Sequence, residues 1–201
     1  SRLFPAYWAA IAVTAAVVYA IGLPGQRLPP RDLLLNATML QQVLGANHLD
    51  GSYWTLQVEL FFYVQMLGWY LVGLLGQIRW IIVGWLALAV AYGESAEHHL
   101  HFSYAVRELL IVRHIPFFAL GILFYRLWSR PDRSPLADVT LMALCVVAIA
   151  IAGPPVLVWV ALSCCGVFAL FIGGALRWLA TPGCLWLGSI SYTLYLLHQA
   201  I

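Results

Sequence analysis

The sequence predicts an all-α membrane protein, a polytopic bundle of transmembrane helices. Hydrophobic residues make up 63% of the 201 residues and charged residues only 9%, and the mean hydropathy is +0.89. The surface of a water-soluble domain carries far more charge than this. Apolar stretches close to 20 residues long, about the length that crosses a bilayer core, recur along nearly the whole chain. We therefore expect one membrane domain over residues 1–201.

These apolar stretches define about seven spans. The predicted spans are residues 4–21, 53–75, 80–92, 111–128, 136–152, 156–176 and 186–201. The third is short, and the last still reads as a helix at Ile201. The chain starts at Ser1 without a signal peptide. We therefore expect a fragment that is truncated at both ends.

The positions of the arginines predict the orientation in the membrane. Alternating spans place six arginines on one side: Arg2, Arg79, Arg126, Arg130, Arg133 and Arg177. The positive-inside rule makes that side cytoplasmic. Two long connections then lie outside, residues 22–52 and 93–110. In the first, a helical rhythm of apolar residues from Leu34 to Val43 predicts an interfacial or re-entrant helix.

Several classes of function lack support. All ten basic residues are arginines, and a net charge of +2 leaves no broad basic surface for nucleic acid. No GxSxG, P-loop or GxGxxG motif occurs, so a soluble-type hydrolase, an NTPase and a dinucleotide enzyme are not supported. The histidine-rich stretch HHLH at residues 98–101 lacks the i, i+4 spacing of a helical zinc site. We predict a solvated loop there and no metal site. The four cysteines are expected to pack as small hydrophobes.

Glu59 is the clearest candidate for a functional residue. It lies inside a predicted span, where a central carboxylate costs about 2.5 to 3.5 kcal/mol and is a functional hypothesis by default. Thr55 and Tyr63 are one helical turn away on either side, so the three side chains share a face. The alternative is a carboxylate that hydrogen-bonds a neighbouring helix and only fixes packing. Composition alone favours neither.

Three further sites have both a functional and a simpler interpretation. Arg2 precedes the first span and either receives a phosphate or carboxylate or only obeys the topology rule. Arg113 and His114 open the fourth span and in isolation are best explained as an interfacial pair. His198, near the end of the last span, is either a base or an interfacial side chain.

Four segments resemble motifs of the acyltransferase-3 family of bacterial membrane acyltransferases, which includes O-antigen and exopolysaccharide O-acetylases. The first motif segment is RLFPAYW at residues 2–8, similar to R-x-x-P-x-Y-W. The second is DGSYWTLQVELFFYV at residues 50–64, which resembles W-[ST]-L-x-x-E-x-x-F-Y. The third is FFALGILFYRL at residues 117–127, and the fourth is LGSISYTLYLLHQ at residues 187–199, similar to L-G-x-x-S-Y-x-x-Y-L-x-H. Their order and spacing also agree with the family.

The resemblance implies a membrane-embedded O-acyltransferase in the bacterial inner membrane. Such an enzyme moves an acyl group, commonly acetyl, from cytoplasmic acyl-CoA to a hydroxyl of a carbohydrate or lipid-linked sugar. Acyl-CoA is a donor substrate, and no bound cofactor or nucleic acid is implied. Arg2 would bind the CoA side, Tyr53 and Trp54 would line the acceptor end, and Arg113 is a further substrate-binding candidate.

The resemblance also places the catalytic base outside these residues. Family members carry a catalytic histidine on an earlier span, followed by a basic cytoplasmic loop, and none of the six histidines present matches it. Glu59 would then orient or stabilise that histidine, as a carboxylate holds an imidazole tautomer. We expect these 201 residues to be inactive on their own.

Two rival functions stay open. One is a multi-span transporter or permease in which Glu59 couples transport to protons and the Gly/Pro breaks mark discontinuous helices. It predicts inverted repeats, which the sequence does not show, and leaves the second motif segment unexplained. The other is a non-catalytic remnant that folds but lacks its base.

Overall fold

Helices make up most of the chain in the computed structural model, and no strand occurs in the part of the chain that it describes. The described residues are 3–21, 28–49, 51, 53–97, 103–129 and 135–197. The α-helices are α1 (Leu3–Ile21), α2 (Pro30–Asn36), α3 (Tyr53–Leu71), α4 (Ile78–Glu97), α5 (Tyr104–Leu109), α6 (Ile115–Ser129), α7 (Pro135–Ala152), α8 (Pro155–Ile172) and α9 (Pro182–Leu197), with 3₁₀ turns at Leu74–Gln77 and Arg177–Leu179. The all-α prediction is confirmed.

Three helical segments among the described residues are long and apolar enough to cross a membrane: Leu74–Ser95, Pro135–Ala152 and Pro155–Ile172. A helix also occupies each of the other predicted spans, but their crossing of the membrane is not confirmed. The predicted third span was too short, because the helical segment begins at Leu74 and reaches Ser95. The structure thus supports a membrane protein with at least these three candidate spans.

The chain divides into two units, and each is described by itself. Unit 1 contains Ser1–Leu60 and Leu179–Ile201, and unit 2 contains Phe61–Trp178. The boundary falls within α3, so that the first two turns of this helix belong to unit 1 and the rest to unit 2. The single domain over residues 1–201 stays a prediction.

The core of unit 1 forms where α1 meets the beginning of α3. Tyr7, Ala10 and Ile11 follow the i, i+3, i+4 rhythm of one helix face and are buried there. The Tyr7 ring packs edge-on against the Tyr53 ring, with 5.0 Å between centroids and 72° between planes. This arrangement is favourable for two aromatic rings beyond the area they bury. Tyr53 is the aromatic link between the two helices.

The connection between α1 and α3 is anchored to α1 by two side-chain donors. The Tyr7 hydroxyl donates to the Asn36 carbonyl at 2.6 Å, and Trp8 Nε1 donates to the Ala37 carbonyl at 3.0 Å. These carbonyls lie at the end of α2, where backbone acceptors lack intrahelical partners. The predicted helix over Leu34 to Val43 is wrong beyond Asn36. Met39 has a φ of 61°, a left-handed conformation that ends a helix.

Asn36 holds the rest of this connection in place and has no exposed surface. Its Nδ2 donates to the carbonyls of Asp32 and Asn47, at 2.7 and 2.8 Å, while its Oδ1 accepts the Leu49 amide at 3.0 Å. The Asp32 carboxylate in turn accepts the Asn47 amide at 3.3 Å. The hydrogen bonds of this buried side-chain amide replace the regular backbone hydrogen bonds that an irregular segment lacks.

In unit 2, α7 packs against α4, α6 and α8. The ends of α4 and α7 approach closely at Gly93, where a Cβ would lie 2.9 Å from the Ala152 Cα. Only glycine fits at that distance. The predicted start of the fourth span at Ile111 is wrong, because α6 begins at Ile115. Ile111 has a φ of 47° in the turn before it, a strained conformation for a β-branched residue.

At the opposite end of α4 and α7, a buried carboxylate joins three helices. Asp138 of α7 is only 2% exposed. Its Oδ1 accepts Arg79 Nε of α4 at 2.7 Å, and its Oδ2 accepts Arg126 Nε of α6 at 3.3 Å. Charge-assisted hydrogen bonds of this kind are roughly twice as strong as neutral ones. Arg79 and Arg126 therefore lie at the same end of unit 2, as the topology predicts.

Replacement of Asp138 by Asn removes the charge that both guanidinium groups share. We expect Asp138→Asn to lower the free energy of unfolding by about 2 kcal/mol, because two partly buried cations lose their counter-ion. Denaturant titration of the protein in detergent measures this. Glu108→Gln is the matched control, since its ion pair with Arg107 is more exposed and should change stability by less than about 0.5 kcal/mol. Equal effects of the two variants would contradict the role of Asp138.

A second pair of variants tests the anchoring of residues 30–49 to α1. Tyr7→Phe removes the 2.6 Å hydrogen bond to the Asn36 carbonyl, which keeps the Met39 amide as a donor at 3.1 Å, and we expect a loss of about 1 kcal/mol in the free energy of unfolding. The matched control is Tyr19→Phe, which removes a 2.7 Å hydrogen bond to Leu28 at an exposed position and should have a smaller effect because water replaces the donor. A Tyr7→Phe protein as stable as the wild type would show that this hydrogen bond is not needed.

Candidate functional site

The start of α3 positions the predicted site residues of unit 1. Tyr53 has no exposed surface, and its hydroxyl lies 3.4 Å from the Thr14 Oγ1 of α1. Successive helical residues are rotated by about 100°, so Trp54 points elsewhere and is 43% exposed. Glu59 is partly buried and interacts with at least one other group. The roles of these three residues stay predictions.

A short hydrogen bond connects α3 with α9. The hydroxyls of Thr55 and Tyr195 are 2.6 Å apart. Glu59 follows Thr55 by one helical turn and thus lies on the same face of α3. Thr55 belongs to the second motif segment and Tyr195 to the fourth, which are separated by more than one hundred residues of sequence.

Other contacts bring further motif segments together. In unit 1, Tyr7 of the first motif segment packs on Tyr53 of the second. In unit 2, Phe62 of the second stacks on Phe118 of the third, with 4.2 Å between centroids and 14° between planes. Each motif segment thus contacts another through its own side chains. The four motif segments were identified in the sequence by their residues, order and spacing. The side-chain contacts between them were not predicted.

Sequence reasoning missed Gln57, which lies two residues before Glu59. Its side chain is 1% exposed, and its Oε1 accepts no hydrogen bond from the described residues. A buried carbonyl oxygen left in this state costs about 1 to 3 kcal/mol. A polar amide within the apolar run of the second motif segment was the available signal.

Arg113 lies in unit 2, at the end opposite to Asp138. Its Nε donates to the Tyr92 hydroxyl at 3.0 Å, and its guanidinium carbon is 5.6 Å from the centre of the Tyr92 ring. Arg113 and His114 line a cavity of about 360 Å³ together with Phe117, Gly153 and Pro154. This volume falls within the range of small-molecule sites. A cation and an imidazole therefore lie at the wall of this cavity.

Several predicted positions lie outside the described residues. They are Arg2, the HHLH stretch at residues 98–101, and His198. Among the residues that are described, no group of three or more His, Cys, Asp or Glu side chains is placed to hold a metal ion. The absence of a metal site stays a prediction for the whole chain.

His48 follows α2 in unit 1 and is partly buried. Its Nδ1 lies 3.1 Å from Gln41 Nε2. Burial lowers the pKa of His48 below its ordinary 6.5, because the charged imidazolium loses hydration.

The burial of His48 predicts a loss of stability in acid. As the pH falls through 6.5, the unfolded chain binds more protons at this position than the folded chain does, so the free energy of unfolding falls. We expect a lower Tm at pH 5.5 than at pH 7.5, and a smaller difference in His48→Gln, which cannot titrate. Thermal unfolding of both proteins at the two pH values checks this. An identical pH difference in the variant would exclude His48 as the titrating group.

Comparison of the chain with known proteins identifies no relative. No protein-family model, curated protein or solved structure matches it.

Proposed function

We propose that this chain is the membrane core of an O-acyltransferase of the acyltransferase-3 type. It would transfer an acyl group, commonly acetyl, from acyl-CoA to a hydroxyl of a carbohydrate or cell-envelope glycan. The proposal includes the seven spans, the cytoplasmic side at Arg79 and Arg126, and the bacterial inner membrane. The observation that carries it is the Thr55–Tyr195 hydrogen bond, which joins two motif segments distant in sequence.

The contacts support the proposal because they involve the residues that define the resemblance. Tyr7 and Tyr195 are motif residues, while Tyr53 adjoins the W-T-L-x-x-E core that contains Thr55. Motif residues that met by chance would be scattered over the nine α-helices of the described residues. Here the contacts within unit 1 converge on the first turns of α3, the helix that carries Glu59. This arrangement is expected if the first, second and fourth motif segments build one site.

The proposed reaction needs a base, an orienting carboxylate and donors for the acyl oxygen. The base, which the resemblance assigns to a histidine before Ser1, takes the proton of the acceptor hydroxyl. The hydroxyl oxygen then attacks the thioester carbon, the C–S bond breaks, and the CoA thiolate takes up the proton. Glu59 orients the imidazole, as the carboxylate does in a Ser-His-Asp triad. Arg2 binds the CoA side.

The remaining predicted residues would act on the acceptor. Trp54 is exposed enough to stack on a sugar ring, whereas Tyr53 supports it from within the core. Arg113, at its own cavity in unit 2, stays a separate substrate-binding candidate.

Substitution of Glu59 by Gln in the full-length protein tests this function. Gln keeps the shape but cannot stabilise an imidazolium, so we expect transfer of labelled acetyl groups to glycan to fall by about 100-fold or more. Because a carboxylate raises the pKa of its imidazole, the acid limb of the pH–rate profile should also shift. Glu59→Asp should recover part of the rate.

Two controls make the result decisive. Glu94→Gln removes an exposed carboxylate near the end of α4 and should leave the rate unchanged. Binding of acetyl-CoA should persist in Glu59→Gln, because Glu59 is assigned to the base and not to the donor. A Glu59→Gln protein that inserts normally and transfers acetyl groups at the wild-type rate would refute the assigned role.

A further inference from the structure

The cavity beside Arg113 combines a cation with an apolar wall. It lies in unit 2, between the start of α6 and the turn that joins α7 to α8. The apolar part of its lining comes from all three helices: Phe117, Ile149, Ala152 and Leu157. Among the described residues that line it, Arg113 is the one with a permanent charge. Such a cavity suits a molecule that has an anionic group and an apolar body.

The volume of about 360 Å³ limits the size of that molecule. It equals the volume of about twelve water molecules, each of which occupies about 30 Å³ in the liquid. Small-molecule sites span about 300 to 1,000 Å³, so this cavity is near the lower end of the range. A molecule with one ring or a short branched chain fits, whereas a lipid or CoA is too large to be enclosed.

The guanidinium group of Arg113 is held in a fixed position at the wall. Its Nε donates to the Tyr92 hydroxyl at 3.0 Å, and its central carbon is 5.6 Å from the centre of the Tyr92 ring. Tyr92 adjoins Gly93, where α4 approaches Ala152 of α7 closely. A side chain that is already fixed loses little conformational entropy when it binds a ligand. An arginine that only reaches toward lipid headgroups needs no such fixed position.

The charge of Arg113 has no counter-ion among the described residues. Its two terminal nitrogens form no hydrogen bond or ion pair there. Glu108, on the preceding helix α5, pairs instead with Arg107 at 3.1 Å. A guanidinium group binds a carboxylate through two parallel hydrogen bonds, and their charges cancel. A phosphate monoester carries a charge of about −1.5 to −2, which is more than one guanidinium group balances.

From these observations we infer that the cavity binds a small organic acid with an apolar body, of about the size of benzoic acid. The carboxylate contacts the terminal nitrogens of Arg113, and the apolar body lies against Phe117 and Leu157. The inference is independent of the acyltransferase proposal, because it concerns this cavity within unit 2 alone.

The test is binding of benzoate to the full chain in neutral detergent at neutral pH, measured by ligand-observed NMR titration. Benzamide is the uncharged molecule of the same shape, and acetate has the carboxylate without the ring. We expect benzoate to bind at least about tenfold more tightly than either, because it alone combines a charge-assisted contact with burial of the ring. Titration of detergent alone gives the background. Equal affinity of benzoate and benzamide, or of benzoate and acetate, would overturn the inference.

Two variants separate the carboxylate contact from the apolar one. Arg113→Gln carries no charge, so the affinity for benzoate should fall to that for benzamide. Leu157→Ala removes part of the apolar wall and should weaken benzoate and benzamide alike, by about fivefold. If either variant binds benzoate as the wild type does, the inference is wrong.

Each variant has a matched control in unit 2. Arg177→Gln removes an exposed arginine beyond the other end of α8. Leu170→Ala shortens an exposed leucine of α8, about 20 Å along the helix from Leu157 at 1.5 Å per residue. Both should bind benzoate like the wild type, and weakened binding in either would contradict the assignment to this cavity. Leu157→Ala removes no polar group, so it tests the cavity even where Arg113→Gln impairs folding.

Discussion

A polar side chain among apolar helices must find its partner on a neighbouring helix, and this constraint organises both units. In unit 1 the hydroxyl of Tyr7 reaches the end of α2, and Thr55 reaches Tyr195 on α9. In unit 2 Asp138 joins α4, α6 and α7 through two arginines. Apolar contacts do little to decide which helix lies beside which in lipid, so these polar contacts supply much of the specificity of the fold.

The same contacts determine which polar side chains lie where they can take part in a reaction. Glu59 lies one turn from Thr55 on the face that α9 approaches, which is where a carboxylate can act on a partner instead of facing lipid. The permease alternative predicts discontinuous helices at the Gly/Pro breaks, whereas α3, which carries Glu59, is continuous from Tyr53 to Leu71. Arg113 has an independent cavity in unit 2, with a cation and an imidazole at its wall.

Hydrophobic windows predicted the helices well, because a bilayer core demands long apolar segments. They failed at Ile111 and beyond Asn36. Ile111 and Met39 have positive φ values, and the helices there begin later or end earlier than periodicity predicts. Tertiary packing sets these conformations, and periodicity carries no information about tertiary packing. The sequence singled out Glu59, since a carboxylate is costly in an apolar run, and its role stays a prediction. The Asp138 cluster and the unpartnered Gln57 carbonyl were not, because they depend on which helices become neighbours.

The central claim, that the full-length protein is an acyltransferase supplied by acyl-CoA, is tested most directly by equilibrium binding of labelled acetyl-CoA. The measurement uses sealed membrane vesicles of both orientations that contain the full-length protein. The account predicts saturable binding that unlabelled acetyl-CoA displaces, and only in vesicles that expose the cytoplasmic face. Absence of saturable binding in both orientations would contradict it.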